Sequence, residues 1–163
     1  DETVALLIEH RDRIFIGPAI AWEVQYLAQC ENLGISRQTV QAQGYEAEID
    51  ATIATVEKLK AAGIKLVVGG DYGISIAPHG SYAKDLEYFV ELFSMSPAEA
   101  IICATKNGGL MLDPAGNIGT LRPGSVADFI VVDGDPLQDI TVLQNLDKLD
   151  VYQAGSLVPK ALD

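Results

Sequence analysis

Cysteine and histidine, the residues that build disulfide frameworks and zinc clusters, are scarce in this chain. Its 163 residues include two of each. Cys30 and Cys103 lie far apart in the sequence, in neither a zinc nor a redox spacing. We therefore expect both to be reduced thiols in the core of a cytoplasmic protein.

Basic residues are scarce as well. The chain has 11 Lys and Arg side chains against 23 Asp and Glu, for a net charge of −12. Because a surface that binds phosphates needs clustered Lys and Arg, this balance argues against a nucleic-acid partner and against an anionic membrane surface. No apolar run approaches the roughly 20 residues that a membrane span needs. The composition is 48% hydrophobic, which is enough for a core.

The common short catalytic motifs are missing: HExxH, the phosphate loop, GxGxxG and GxSxG. A start methionine is missing too. Residues 1–8 instead have the pattern of the first turns of an amphipathic helix, with acidic residues where the helix dipole favours them. We therefore expect the chain to be a piece of a longer protein.

The first two thirds of the chain have the pattern of an α/β protein. Apolar runs at 13–18 and 64–70 flank a long helical pattern from about residue 45 to 62. A strand, a helix and a second, continuously apolar strand form a βαβ unit, which predicts a parallel sheet covered by helices. Two more helices are predicted at about 82–93 and 97–110, the second with Ser96 as its N-cap.

The pattern changes near residue 115. Short alternating segments at 117–121, 127–133 and 151–158 are separated by Gly and Pro, which is typical of a small β module. We therefore predict two domains, at 1–115 and 116–163.

Candidate site residues follow the predicted strands, because ligands in parallel α/β folds gather beyond the carboxyl ends of the strands. Asp71 comes at the tip of the second strand beside glycines, although a turn aspartate would look the same. His79, eight residues on, could reach the same strand end, although most lone loop histidines are not catalytic. Trp22 and Tyr26 follow the first strand and could belong to the core or to a pocket.

Other polar residues have simpler explanations. His10 fits a cation at a helix C-terminus. Together with Asp71 and His79 it does not have the spacing of a three-ligand metal site. Lys106 and Asn107 fit a helix end, where Thr105 or Asn107 could brace a site.

Four motifs resemble a known family. They are Val-Gly-Gly-Asp at 68–71, Pro-His-Gly at 78–80, the paired segments 96–100 and 104–107, and the stretch from Ile118 to Pro136, which includes Gly-Thr-Leu-Arg-Pro-Gly-Ser-Val-Ala-Asp. In order and spacing they resemble the carboxyl-terminal part of the metal-dependent amidohydrolases. The branch that looks most similar contains imidazolonepropionase, Xaa-Pro dipeptidase-like enzymes, and phenylurea and molinate hydrolases.

The resemblance implies a fold. Such proteins have a (β/α)8 barrel and a composite β-sandwich built from both termini. Segment 14–18 resembles barrel strand 7, segment 64–70 resembles strand 8, and residues from about 116 resemble the carboxyl-terminal half of the sandwich.

The resemblance also implies a site. Asp71 matches the strand-8 aspartate, which in the family touches a divalent metal of the zinc class and moves the proton of the attacking water. His79 matches a histidine in the loop after strand 8, which is expected either to contact the substrate or to support a residue that does. Apart from the resemblance, Trp22, Tyr26 and Tyr72 suggest an apolar or aromatic wall, which fits an amide, carbamate or urea substrate of modest polarity.

The family's other ligand positions have no counterpart here: the His-x-His of strand 1, the strand-4 Lys or Glu, and the histidines of strands 5 and 6. We therefore expect the remainder of the same enzyme as a partner, a homo-oligomer, and no activity from the segment alone. Two alternatives stay open. The chain could be a non-catalytic binding domain, or a small α/β hydrolase that uses Asp71 and His79 without metal.

Overall fold

A computed structural model of the protein describes residues 2–160. The helices are α1 (Glu2–Glu9), α2 (Ile20–Gln29), α3 (Arg37–Gln43), α4 (Tyr45–Ala61), α5 (Lys84–Leu92), α6 (Pro97–Ile102) and α7 (Gly108–Leu112). The strands are β1 (Phe15–Ile16), β2 (Lys65–Leu66), β3 (Phe129–Val132), β4 (Leu149–Gln153) and β5 (Ser156–Leu157). Within residues 2–160, no helix is both long enough and apolar enough to cross a membrane.

Strands β1 and β2 form a parallel pair, with Phe15 opposite Lys65 and Ile16 opposite Leu66. Helices α2, α3 and α4 connect them, so the predicted βαβ unit is confirmed. Both strands are shorter than the apolar runs that predicted them. One more bond, from the Val67 amide to the Ile16 carbonyl, extends the ladder. On the β1 side, Pro18 has no amide hydrogen with which to continue it.

The main core lies between these strands and the helices around them. Phe89 and Phe93 of the α5 region are almost fully buried, together with Ile20 at the start of α2. Their cluster includes Leu66 of β2 and extends to Ile140 in a short 3-10 turn at 140–144. The carboxyl-terminal third of the chain therefore packs directly on α5.

Helix α6 begins with the predicted cap. The Ser96 hydroxyl accepts a hydrogen bond from the Glu99 amide, and the Glu99 carboxylate accepts one from the Ser96 amide. This capping box satisfies two amides that have no partner inside the helix. The predicted helix continues through a π turn (Cys103–Asn107) into α7.

The strand predicted at 117–121 is wrong, since this segment has bends at 118–120 and no strand residue. Its middle residue, Gly119, crosses α7 at Gly109, where a Cβ on Gly119 would lie 3.0 Å from the Gly109 Cα. Backbone packed this closely against a helix has no neighbouring strand to pair with in that place.

The other two predicted β segments form a three-stranded antiparallel sheet in the order β3-β4-β5. Phe129 stands opposite Tyr152, and their rings stack with centroids 4.6 Å apart. Between β4 and β5, Ala154 and Gly155 both have positive φ, 49° and 77°. Two consecutive residues of this kind make the tight hairpin turn whose twist suits paired strands.

Candidate active site

Asp71 lies in the loop that follows β2, and its backbone has a left-handed conformation with φ of 56°. This conformation is uncommon for a residue with a side chain, although Asp tolerates it better than most. The side chain is exposed, and within residues 2–160 its carboxylate has no hydrogen bond or ion pair. The carboxylate is therefore free to contact a ligand.

Asp85 of α5 holds this loop from beneath. One carboxylate oxygen accepts a hydrogen bond from the Gly69 amide at 3.0 Å, and the other accepts one from the Tyr72 hydroxyl at 2.9 Å. The Asp85 side chain is 2% exposed. Burial raises the pKa of this carboxyl, and the two hydrogen bonds oppose that rise.

The Tyr72 hydroxyl keeps its proton and donates the hydrogen bond to Asp85. Burial, and then the neighbouring charge of Asp85, raise the pKa of Tyr72 well above its ordinary value. The hydroxyl therefore stays protonated and directed at Asp85, which leaves the ring as the part of Tyr72 that can contact other groups.

Gly70 is packed so tightly that no side chain fits there. A Cβ at this position would lie 2.5 Å from an Asp85 carboxylate oxygen, 2.6 Å from the Tyr72 ring and 2.7 Å from the Ala21 Cβ. The groups that come closest to Gly70 therefore belong to the protein itself.

His79 folds back onto the same loop. Its Nδ1 is 2.9 Å from the Tyr82 hydroxyl, and its ring covers Gly73, where a Cβ would lie 2.9 Å from Nε2. The Tyr82 ring also packs edge-on against Tyr72, with centroids 5.2 Å apart. The structure thus brings three predicted site residues, Asp71, Tyr72 and His79, into one loop.

Trp22 belongs to a different cluster. Its ring packs at 6.3 Å from Tyr26 and at 5.7 Å from Tyr45, between the helices α2 and α4. Its chain neighbour Ala21 is the residue that lies against Gly70. Within residues 2–160, the ring contacts of Trp22 are with Tyr26 and Tyr45, and not with the Asp71 loop.

A second brace supports the strand that leads into the loop. The Asn107 side-chain amide, in the π turn, donates to the Leu66 carbonyl of β2 at 2.9 Å. The Thr105 hydroxyl donates instead to Ile101 in its own helix. Of the two residues considered for a bracing role, Asn107 is the one that reaches a strand.

Two residues of the loop network were missed by the sequence analysis. Asp85 looks like an ordinary acidic residue in the first turn of a helix. Tyr82 had a weak signal, since it follows His79 by three residues at the start of a predicted helix.

Within residues 2–160, no three His, Cys, Asp or Glu side chains come close enough together to hold a metal ion. The exposed, unpaired carboxylate of Asp71 has the donor chemistry that a divalent cation accepts. It fits such an ion as one ligand of a larger set.

The comparisons with known proteins decide the family. Residues 2–157 match the model of the amidohydrolase family. The chain belongs to the amidohydrolase family. Ochratoxinase of Aspergillus niger is 34% identical over 114 residues, which are 69% of this amidohydrolase chain and 23% of that protein. Imidazolonepropionase of Ralstonia nicotianae is 31% identical over 80 residues, which are 49% of this chain and 20% of that protein.

Solved structures agree in fold. The crystal structure of A. niger ochratoxinase has a TM-score of 0.75 at 30% identity, with 96% of this chain and 34% of that chain covered. A Xaa-Pro dipeptidase has a TM-score of 0.74 at 27% identity, with 98% of this chain and 37% of that chain covered. The resemblance to an amidohydrolase-type enzyme is confirmed at the level of the family. The amidohydrolase chain spans about a quarter of the length of its curated relatives.

Proposed function

We propose that this amidohydrolase chain is the carboxyl-terminal part of a metal-dependent hydrolase of C–N bonds, with Asp71 as its catalytic carboxylate. The observation that carries the proposal is the free Asp71 carboxylate, presented by a left-handed turn after β2 in a chain of this family. The bond class, an amide, carbamate, urea or Xaa-Pro bond, is suggested by the ochratoxinase, imidazolonepropionase and Xaa-Pro dipeptidase relatives.

Asp71 has two tasks in this proposal. It contributes one oxygen ligand to a divalent metal, zinc in the first instance, whose other ligands come from the rest of the enzyme. When bound, such an ion lowers the pKa of a coordinated water to about 7. Asp71 takes the proton of the attacking water and delivers it to the leaving nitrogen.

We assign substrate contacts to His79, Tyr72 and Trp22. Tyr82 holds the His79 ring through Nδ1, so Nε2 is the atom with which His79 can meet a substrate. Tyr72 offers its ring, because its hydroxyl is directed at Asp85. Trp22, with Tyr26 and Tyr45, supplies an aromatic wall suited to a substrate of modest polarity.

The rest of the enzyme is the proposed partner. In this assignment β1 and β2 belong to barrel strands 7 and 8 within the domain predicted at 1–115. The domain predicted at 116–163, of which the structure describes residues up to 160, is assigned to half of a β-sandwich. The accessible surface area of the chain also favours a partner that covers part of it. It measures 10020 Å², whereas a folded monomer of this size has about 7,900 Å². Assembly into a homo-oligomer would cover more of it.

The proposed compartment is a reducing one, the cytoplasm. Cys30 and Cys103 are both buried and free. Neither thiol forms a disulfide, as suits a compartment where thiols are kept reduced.

Removal of the metal tests the proposed function. The complete enzyme is assayed on a Xaa-Pro dipeptide, an N-acyl aromatic amino acid and a phenylurea, before and after dialysis against a chelator. We expect hydrolysis of at least one substrate, loss of that activity on chelation, and its return with zinc. Full activity in protein that elemental analysis shows to be metal-free would contradict the proposal and favour chemistry by Asp71 and His79 alone.

A further inference from the structure

We infer that Asp85 is a positioning residue for Asp71. By accepting hydrogen bonds from Gly69 and Tyr72, Asp85 fixes the Asp71 turn, the part of the loop from Gly69 to Tyr72 that presents the Asp71 carboxylate. This inference rests on the proposed function of Asp71. It adds a residue of α5 to the machinery of the site, although Asp85 itself lies beneath the loop and does not reach the exposed face of Asp71.

The two hydrogen bonds enclose Asp71 along the chain. The Gly69 amide lies two residues before Asp71, and the Tyr72 hydroxyl belongs to the residue directly after it. Each is bound by a different oxygen of the same carboxylate. A single rigid group therefore ties the Gly69 backbone to the Tyr72 side chain across Asp71.

The turn needs such a restraint. Asp71 adopts a left-handed backbone conformation that costs about 1–2 kcal/mol for a residue with a Cβ. A conformation of this kind persists only where the surroundings over-determine it. The side chain of Asp71 contributes no restraint of its own within residues 2–160, because it has no hydrogen-bond partner there.

Burial of Asp85 shows that its contacts are specific. A carboxylate that is 2% exposed loses most of its hydration, which is costly unless hydrogen bonds replace it. Gly70 closes the space between Asp85 and Tyr72, so the three groups fit together with no room for a further methyl group. Their packing leaves the Asp71 turn little freedom to move.

A matched set of variants of the complete enzyme tests the inference at saturating zinc. Asp85→Ala removes both acceptors. We expect kcat to fall about 10- to 100-fold, the loss that a misplacement of about 1 Å causes. KM should stay within about threefold, because Tyr72 alone of the proposed substrate contacts is bound by Asp85, and its ring stays packed against Tyr82. Asp85→Asn should recover most of the lost kcat, because its oxygen can accept from Gly69 and its NH2 can donate to a rotated Tyr72 hydroxyl.

Leu86→Val is the control for stability. Leu86 is the next residue on α5 and is 7% exposed. Its truncation lowers the melting temperature without touching the Asp71 turn, so kcat per folded enzyme should stay unchanged. If Asp85→Ala does not fold, Gly70→Ala takes its place, because the added methyl group pushes Asp85 and Tyr72 apart.

The variant Asp71→Asn distinguishes a failure of this inference from a failure of the proposed function. If Asp71→Asn abolishes turnover and folded Asp85→Ala keeps the kcat of the wild type, the positioning role is overturned and the proposed function stands. An equal loss of kcat in Asp85→Asn and Asp85→Ala would also overturn it, since charge and not hydrogen bonding would then matter. Full activity of Asp71→Asn would overturn both.

Discussion

Gly70 is the residue on which the Asp71 turn packs most tightly. Its neighbour Gly69 has open space where a Cβ would be, whereas a Cβ on Gly70 would collide with Asp85, Tyr72 and Ala21. The two adjacent glycines thus differ in what surrounds them. They offer a direct test of the packing under the site.

We expect Gly70→Ala to lower the free energy of unfolding by about 1–3 kcal/mol, the usual cost of overpacking a tight site. Gly69→Ala is the matched control. It should stay within about 1 kcal/mol of the wild type, on the stabilising side, because alanine restricts the unfolded chain. Urea titration of both variants measures the difference. Equal stability of the two would show that the space at Gly70 is not limiting.

Sequence proximity explains which residues of this loop were predictable. Asp71, Tyr72 and His79 fall within nine residues after an apolar run, so a single strand end brings them together. Asp85 was not predictable, because its contact depends on how α5 is rotated against the loop. The sequence analysis predicted Trp22 near the site because this residue follows the first predicted strand. The structure places its ring between α2 and α4, with Tyr26 and Tyr45, and its part in the site remains a proposal.

At the scale of elements, the crossing of Gly109 and Gly119 joins the helical part of the chain to the β part. Gly109 lies in α7, just after the π turn, and Gly119 lies in the segment that leads towards β3. A Cβ on Gly109 would lie 2.5 Å from the Ile118 carbonyl oxygen. Only two residues without side chains allow the backbones to approach this closely.

Gly119→Ala and Gly124→Ala separate close approach from backbone strain. Both glycines have positive φ, 80° and 89°, but only Gly119 has neighbours within reach of a Cβ. We expect Gly124→Ala to cost about 1–2 kcal/mol for its left-handed backbone. Gly119→Ala should cost about 1–3 kcal/mol more for the collision. Thermal melts of the two variants test this, and equal losses would contradict the crossing.

Elements were predictable where a local signal sets them. The Ser96 cap and the long helix α4 both follow from residues a few positions apart. The segment predicted at 151–158 is divided into β4 and β5 by the turn at Ala154 and Gly155. The strand at 117–121 failed for the opposite reason. Its alternating residues favour a strand locally, but the close crossing with α7 decides its backbone.

At the scale of the whole molecule, the sheet β3-β4-β5 exposes apolar side chains that a further part of the protein would cover. Ile130 and Val131 point to opposite faces of the sheet, and they are 54% and 49% exposed. A sheet that shows apolar side chains on both faces needs a further layer on each. Together with a match to about a quarter of its curated relatives, this favours a chain that works as part of a larger enzyme.

The fold class and the family were predictable because four motifs and one βαβ pattern agree with each other. The assignment of β1 and β2 to strands 7 and 8 stays a proposal. A parallel ladder two residues long is compatible with many places in a barrel.

The turnover of the complete enzyme carrying Asp71→Asn tests the central claim most directly, with Asp133→Asn as a control of equal charge change in an exposed turn. At saturating zinc, we expect Asp71→Asn to lower kcat by about 10²–10⁴-fold, the usual contribution of a general acid–base group. The melting temperature should not change. Asp133→Asn should stay within about twofold of the wild type. Turnover by a folded Asp71→Asn enzyme as fast as that of the control would contradict the account.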